Sequence, residues 1–546
     1  MTSYRILAEA LEAAAESRGK LEKIARLSEA LVRVEDPELP AAARLLSGSP
    51  FAEHEQSVTS VGWASVVRAA TEVTGWDEET VRTCTVAIGD LGEAVSLLLP
   101  GDRGGGPSIS EVEAFFRGLA AAKKPAQRRD ALAAILRRTS AVEAKYLLKT
   151  LSGGLRVGAD VTTVEEAIAA AFGADREAAA RARRDSGDIG ETAAAARAGR
   201  LGDIRFRLFH PIGFMLASPI ETAEEIEGEL AELAVEDKFD GIRAHAHKDG
   251  DRVVLFSRTL DDVTPQFPDV AAALAAVPGR FLLDGEIVAW DGERPGSFFR
   301  LQRRLGRKAP DAALLTEIPA VFIAYDCLAE SDAALFETPW SDRRRRLESL
   351  VEASGLRSSV AYAAASAAEL ESLFAAARAR GNEGLMLKRR DSLYQAGKRG
   401  RAWRKWKKPL ATLDVVVTAV EQGHGKRAGM LSDYTFAVRA VGESENEEGT
   451  ERFVNIGKAY SGLSDEEIRA MGTVFRRITI GKYGPVRAVR PEVVLEVSFD
   501  SIQKSARHKS GYALRFPRIV RLRPDKPAAE ASTLEDVTQI YEKLTS

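Results

Sequence analysis

Val235-Glu236-Asp237-Lys238-Phe239-Asp240-Gly241-Ile242-Arg243 puts one lysine among carboxylates, a glycine and an arginine, with apolar residues on either flank. A lysine attacks phosphorus only as the free amine, and its ordinary pKa of about 10.4 makes that form scarce at neutral pH. Burial, neighbouring cations or a metal ion lower the pKa, because each disfavours the ammonium. Lys238 is therefore read as a nucleophile whose surroundings depress its pKa. A short Lys-x-Asp-Gly match by itself also describes a solvated lysine at a strand edge. Residues elsewhere in the chain decide between the two.

At 546 residues the chain exceeds one ordinary core, and about 150 residues per domain gives three or four domains. Hydrophobic residues make up 45% and charged residues 29%, which favours neither a disordered nor a membrane class. The net charge of -3 supplies no bulk attraction to nucleic acid, so any such affinity has to come from local clusters. Cys84 and Cys327 are too few for a four-cysteine zinc site or a disulfide scaffold, and a reducing, cytoplasmic setting is expected. The start, Met1-Thr2-Ser3-Tyr4-Arg5, leads into an amphipathic pattern, so no signal peptide is expected. No apolar run reaches eighteen residues, and no membrane span is expected.

Residues 1–203 read as an all-α region. Tyr4, Leu7 and Leu11 fall at helical spacing, as do Leu21, Ile24, Leu27 and Leu31. The run 101–107, rich in glycine, reads as a flexible connection, since it lacks the Lys-Ser/Thr of a phosphate-binding loop. Ser108 and Glu111 after it have the spacing of a capping box. Basic residues gather at Lys123, Lys124, Arg128, Arg129, Arg137 and Arg138, and again at Lys145, Lys149 and Arg156 around a glycine-bearing loop. Such a loop lets backbone amides approach a phosphate, although a charge run is more often a solvated helix face. The stretch 181–200 is expected to be a hinge.

From 204 to 409 the pattern is α+β. Short apolar runs at 253–256, 281–283, 287–290 and 321–325 read as strands, with helices over 343–350 and 367–380. From 410 to 546 strands at 415–420, 434–441, 493–499 and 519–522, with one helix near 465–471, have the proportions of an OB-fold, followed by a helical tail over 534–544.

Four further clusters bear on Lys238. Asp284-Gly285-Glu286 sits between two apolar runs, and Glu383-Gly384-Leu385-Met386-Leu387-Lys388 again sets a carboxylate and a glycine ahead of a strand. Two carboxylates, Glu286 and Glu383, without a Cys/His cluster are what a hard, oxygen-seeking Mg²⁺ takes. The densest basic segment runs from Lys398 to Lys408, and in a strand its Lys405 and Lys407 share one face and can point at one phosphate. The last cluster, from Arg515 to Lys526, has no acid between Asp500 and Asp525.

In this order these residues resemble the covalent nucleotidyltransferase superfamily, and most closely the ATP-dependent DNA ligases of the larger form with an N-terminal DNA-binding domain. Lys238 to Arg243 looks like motif I, Ser257-Arg258 motif Ia, Leu283 to Glu286 motif III, Tyr325-Asp326 motif IIIa, Glu383 to Lys388 motif IV, Trp403 to Lys408 motif V and Arg523 to Lys526 motif VI. The helical region is similar to that DNA-binding domain at Glu143 to Leu147 and at Gly153 to Gly158. The resemblance covers nearly the whole chain.

The resemblance implies an enzyme that seals 5′-phosphate/3′-hydroxyl nicks in duplex DNA, in replication, repair or recombination, with ATP and Mg²⁺. Lys238 would form a lysyl-AMP. Glu286 and Glu383 would hold the metal, with Lys405 and Lys407 beside them, also helping to depress the Lys238 pKa. Glu236 would read the adenine amino group, Tyr325 would stack on the base, and Arg243 and Arg258 would lie near ribose and phosphate. Arg523 in motif VI would orient the pyrophosphate and then move away with its domain. A monomer acting on nicked duplex, with no membrane partner, is expected.

Tyr325 stands where phenylalanine is frequent, and motif V carries Arg404 and Trp406 where apolar residues are usual; Trp406 faces either the core or the nick. His245 and His247 share a strand face without a third ligand nearby and read as surface residues. The run 423–426 reads as a barrel turn. An RNA capping guanylyltransferase or RNA ligase shares the lysine and strand motifs but typically lacks the long helical region. An NAD-dependent ligase needs a four-cysteine zinc module that two cysteines cannot build. A binding clamp without catalysis is disfavoured by the intact set Lys238, Glu286, Glu383, Lys405 and Lys407.

Overall fold

The computed structural model describes residues 1–545 except 100–104, 293, 297, 308, 408–410, 424–426, 428 and 442–450. The loop expected at 101–107, the end of motif V at Lys408 and the turn expected at 423–426 therefore lie partly outside the described residues. No described helix is long and apolar enough to cross a membrane.

Twelve described α-helices lie between Arg5 and Arg197 and bury one continuous apolar core that includes Tyr4, Leu7, Leu27, Phe116, Tyr146 and Ile168. Their ends are written in the sequence. Ser108 accepts from the Glu111 amide at 3.2 Å while the Glu111 carboxylate accepts from the Ser108 amide at 2.8 Å, which is the expected capping box. Lys145 and Lys149, read as phosphate-facing candidates, are largely buried and paired with Glu12, Glu93 and Asp90. The expected hinge over 181–200 instead forms parts of two helices, Arg176–Ser186 and Ile189–Arg197. Asp175 and Asp188 cap them by accepting backbone amides, and these caps outweigh the alanine-glycine composition that had pointed to a flexible joint.

The middle of the chain forms two sheets. One is five-stranded, in the order Leu216–Ile220, Arg399–Trp406, Gly384–Arg389, Leu233–Lys238, Ala361–Tyr362. The other is six-stranded and carries Arg252–Ser257, Ile242–Asp249, Phe281–Asp291 and Ala320–Glu330 as successive neighbours. The opening stretch is the crossing between them: Lys238 ends a strand of the first sheet and Ile242 begins a strand of the second. Gly241 allows the crossing to be tight. A Cβ there would lie 2.3 Å from the Ile287 carbonyl oxygen and 2.8 Å from Glu286 Cγ, closer than atoms pack.

His245 and His247 are fully buried, which corrects the expectation of surface residues. Their strand lies between two neighbours and is covered by aromatic rings: His245 stacks on Phe214 at 3.7 Å, and His247 accepts the Phe209 amide at 3.0 Å. Burial lowers the pKa of both. Trp406 faces the core, against Phe374 at 4.5 Å, and Arg404 is buried in a pair with Glu229.

The C-terminal region is β-rich. Seven strands form one sheet in which the long strand Ala411–Gln422 pairs with Leu431–Val441 along one edge and, on the other, with Val486–Val489 and Val494–Phe499. A hairpin of Ser501–Lys504 and Tyr512–Arg515, helix Asp465–Arg477 and the terminal helix Leu534–Thr545 complete it.

Candidate active site

A cavity of about 940 Å³ opens between the two sheets and the C-terminal hairpin. Lys238, Glu236, Arg243, Arg258, Glu286, Tyr325, Glu383, Lys405 and Lys407 all line it. Strand register brings them together. Glu236, Met386 and Lys405 stand in one row across the first sheet, and Arg243 and Glu286 are partners in the second. The Glu383 amide donates to the Lys238 carbonyl at 2.8 Å, so Glu383, at the head of strand Gly384–Arg389, is held beside the end of the strand that carries the lysine.

Lys238 Nζ is 2.6 Å from Glu383 Oε2, and Lys407 Nζ is 3.9 Å from the same oxygen. The residues around Lys238 do not by themselves give the expected depressed pKa. Burial pulls it down, but Glu383, Glu286 and Asp240 outweigh burial, and the ammonium is favoured. Lys405 is the lysine whose pKa is lowered, by burial first and then by Lys238 and Lys407. Burial pushes Glu286 up to about 8 against the pull of Lys238 and Arg243, and burial with Glu383 pushes Asp240 up to about 7. Burial works against Glu383 too, yet Lys238 and Lys407 keep its carboxyl below the ordinary value.

Burial thus pushes Glu286 and Asp240 towards their neutral forms, a penalty on the carboxylates that a divalent cation would relieve. Among the described residues no group of three or more His, Cys, Asp or Glu side chains is arranged to hold a metal. Mg²⁺ does not need one, since it keeps waters and takes one or two carboxylates beside substrate phosphates, so Glu286 and Glu383 fit it.

The opposite wall is aromatic. Tyr325 has Lys388 Nζ 4.6 Å and Arg243 Cζ 5.7 Å from its ring centre. Glu236, 2% exposed, pairs with Lys388 Nζ at 2.8 Å and with Arg344 at 3.5 Å. Arg243 is fixed from behind by Asp284, which accepts from its Nε at 3.0 Å and Nη2 at 2.6 Å and also from the Tyr394 hydroxyl at 2.8 Å. Arg243 and the neighbouring His245 keep the Asp284 carboxyl far below the ordinary range, despite its burial.

Arg523 does not line this cavity. It pairs with Asp414 at 3.0 Å and Asp525 at 2.8 Å on the C-terminal region's own sheet. That region instead presents Asp500, Ser501, Ile502, Gln503, Arg515 and Phe516. Lys388 and Asp240 were in view in their motifs without a role attached, and Arg515-Phe516 belonged to the acid-free run. Asp500 gave no signal, because its place depends on packing between residues 93 positions apart.

Three family models match in chain order: "DNA ligase N terminus" over residues 3–169, "ATP dependent DNA ligase domain" over 214–407 and "ATP dependent DNA ligase C terminal region" over 427–526. A "Probable DNA ligase" of Koribacter versatilis is 43% identical over 98% of this chain and 96% of its own length. The chain belongs to the ATP-dependent DNA ligase family. DNA ligases of Methanoculleus marisnigri and Thermococcus onnurineus are each 34% identical, over 96% and 94% of this chain and 95% and 93% of their own. The solved structure named "Pmar-Lig_PreS3" shares the fold, with a TM-score of 0.61 over 95% of this chain and 99% of that one at 16% identity. As a member of the DNA ligase family the protein is an enzyme that uses ATP, with Mg²⁺ typical of the family, and acts on nicked DNA. Its α-helical N-terminal region, nucleotidyltransferase middle and β-rich C-terminal region are the family's architecture.

Proposed function

We propose that Lys238 is the nucleophile of nick sealing and that the cavity around it is the ATP site. The observation that carries this reading is the position of Lys238 at the crossing of the two sheets, 2.6 Å from Glu383 and within one cavity with Glu286, Lys405 and Lys407. The Lys238 ammonium first gives up one proton to solvent; the free amine then forms a bond to the α-phosphorus of ATP as the bond to pyrophosphate breaks, and a second proton passes from Nζ to solvent as the phosphoramidate forms. The AMP then passes to the 5′-phosphate of a nick, restoring the lysine, and the 3′-hydroxyl displaces AMP to form the phosphodiester.

Glu286 and Glu383 would hold Mg²⁺, which would supply charge neutralisation at the phosphate oxygens. Lys405 and Lys407 face the same phosphates. Glu236 accepts from the adenine amino group while Lys388 and Arg344 fix its carboxylate, Tyr325 stacks on the base, and Arg243 and Arg258 contact ribose and phosphate. Arg523 reaches the pyrophosphate only after the C-terminal region has turned, which accords with its distance from the cavity here. Residues 1–203 grip the duplex, 204–409 carry adenylation and 410–546 form the mobile OB-fold lid. The chain works as a monomer, and its two free cysteines suit a cytoplasmic setting.

The test is incubation with α-labelled ATP, GTP and NAD⁺. Label should enter from ATP alone, in a divalent-dependent, acid-labile and base-stable bond, and nicked DNA should be sealed in preference to nicked RNA. Labelling by GTP, or preference for nicked RNA, would point to the capping or RNA-joining relatives.

A further inference from the structure

The turn after strand Arg252–Ser257 brings Ser257, Arg258 and Thr259 to the cavity. It is closed by its own backbone: the Leu260 amide donates to the Ser257 carbonyl at 2.8 Å, and the Ser257 amide donates to the Asp261 carbonyl at 2.9 Å. Leu260 sits at φ +68°, a left-handed conformation unfavourable for a residue with a side chain, so a bond to its carbonyl from outside the turn helps to hold it.

Gln56, in the N-terminal helical region, supplies that support. Its Nε2 donates to the Leu260 carbonyl at 2.9 Å and its Oε1 accepts from the Asp262 amide at 2.8 Å. One side-chain amide thus pairs with the turn's backbone as a neighbouring strand would, across 204 and 206 positions of sequence. Nε2 also donates to the Glu53 carbonyl at 2.7 Å. With two carbonyls facing Nε2 and an N–H facing Oε1, only one orientation of the amide satisfies all three groups. Gln56 itself has φ +49° after the short helical turn Glu53–Glu55, so the backbone aims it at the partner loop.

We infer that Gln56 is a positioning residue that clasps the Ser257–Asp262 turn and so presents Arg258 to the ATP cavity, coupling the N-terminal helical region to nucleotide binding. The inference rests on the reading of this cavity as the ATP site. The clasp lies at an exposed seam, where hydrogen bonds to water compete with each of its bonds, so it tunes nucleotide binding and leaves the phosphoryl chemistry to other residues.

The experiment is self-adenylation of the full chain at varied ATP with saturating Mg²⁺, with melting temperature as the control for folding. Gln56→Ala should raise the half-saturating ATP concentration by about fivefold and leave the maximal rate within about twofold, as expected for loss of two weak hydrogen bonds. Gln56→Asn, one methylene too short to reach, should behave as the alanine variant. In an Arg258→Ala background, which itself weakens ATP binding, Gln56→Ala should add nothing, because the clasp acts through Arg258. An unchanged half-saturating concentration in Gln56→Ala, a loss confined to the maximal rate, or losses that multiply in the double variant would each overturn the inference. Arg258→Ala with undiminished ATP binding would instead remove the reading on which it rests.

Discussion

Lys407 Nζ lies 2.7 Å from Asp500 Oδ2, so a lysine at the cavity around Lys238 is held by a carboxylate of the C-terminal region. Both side chains are partly exposed, at 33% and 40%, and such a pair contributes at most about 1 kcal/mol. The pair therefore biases the C-terminal region towards the arrangement that keeps Arg523 away from the cavity, without locking it. Asp500→Asn should speed self-adenylation by up to about fivefold and leave sealing of a pre-adenylated nick unchanged. Single-turnover assays of the two steps check this, and slower self-adenylation would contradict it.

Glu383 is the carboxylate that does most to raise the Lys238 pKa, and burial alone would lower it. Glu383→Gln should therefore shift the free amine of Lys238 to lower pH in the protein without nucleotide. Labelling of Lys238 by an amine reagent, followed across pH by peptide mapping, should show its midpoint below that of the parent. The same variant should adenylate poorly, because a carboxylate proposed to hold the metal has gone. A midpoint at or above the parent's would show that Glu383 does not control the lysine.

Gly241 is where the two sheets approach too closely for a side chain. Gly241→Ala forces Ile287 and Glu286 back, and overpacking of this kind costs about 1–3 kcal/mol. Because the displacement falls between Lys238, the proposed nucleophile, and Glu286, adenylation should drop by at least about tenfold with far-ultraviolet circular dichroism unchanged. Near-parent adenylation would mean that the crossing tolerates more space than its contacts indicate.

Glu53 carries a pH-dependent stability. Burial raises its carboxyl from 4.5 to about 7. The folded state therefore holds this proton more tightly than the unfolded chain, so its contribution is fully present below pH 4.5 and is lost as pH rises through 7. Glu53→Gln removes the charge, and its melting temperature should pull ahead of the parent's between pH 5 and 8, by a gain on the order of 2 kcal/mol at the alkaline end. A gain that shrinks with rising pH would reverse the sign argued here.

The sequence made the strand residues of the candidate site legible as a group, because residue types suited to phosphate chemistry recur at fixed offsets, and the structure brings them to one cavity. Lys238, Glu286 and Lys405 stand at strand positions whose alternation was readable, Glu383 stands at the head of a strand, and the crossing between the two sheets brings all four to one cavity. Charge balance was not readable. Lys405 and Lys407 were expected to depress the Lys238 pKa, but Glu383, Glu286 and Asp240 lie on the same cavity, and that sum exists only in three dimensions. The histidines misled for a related reason. Polar residues on a strand suggest a solvent face, whereas Phe209 and Phe214 arrive from a preceding loop to cover them. Asp500 and Gln56 carried no local signal, since each acts across a seam between regions distant in sequence.

The central claim is that Lys238 carries the adenylate, and mass spectrometry of the protein after incubation with ATP and Mg²⁺ tests it most directly. The parent chain should gain the mass of one AMP, peptide mapping should place it on Lys238, and addition of nicked duplex DNA should discharge it. Lys238→Ala should gain nothing. An adduct that persists in Lys238→Ala, or that maps to another residue, would contradict the account.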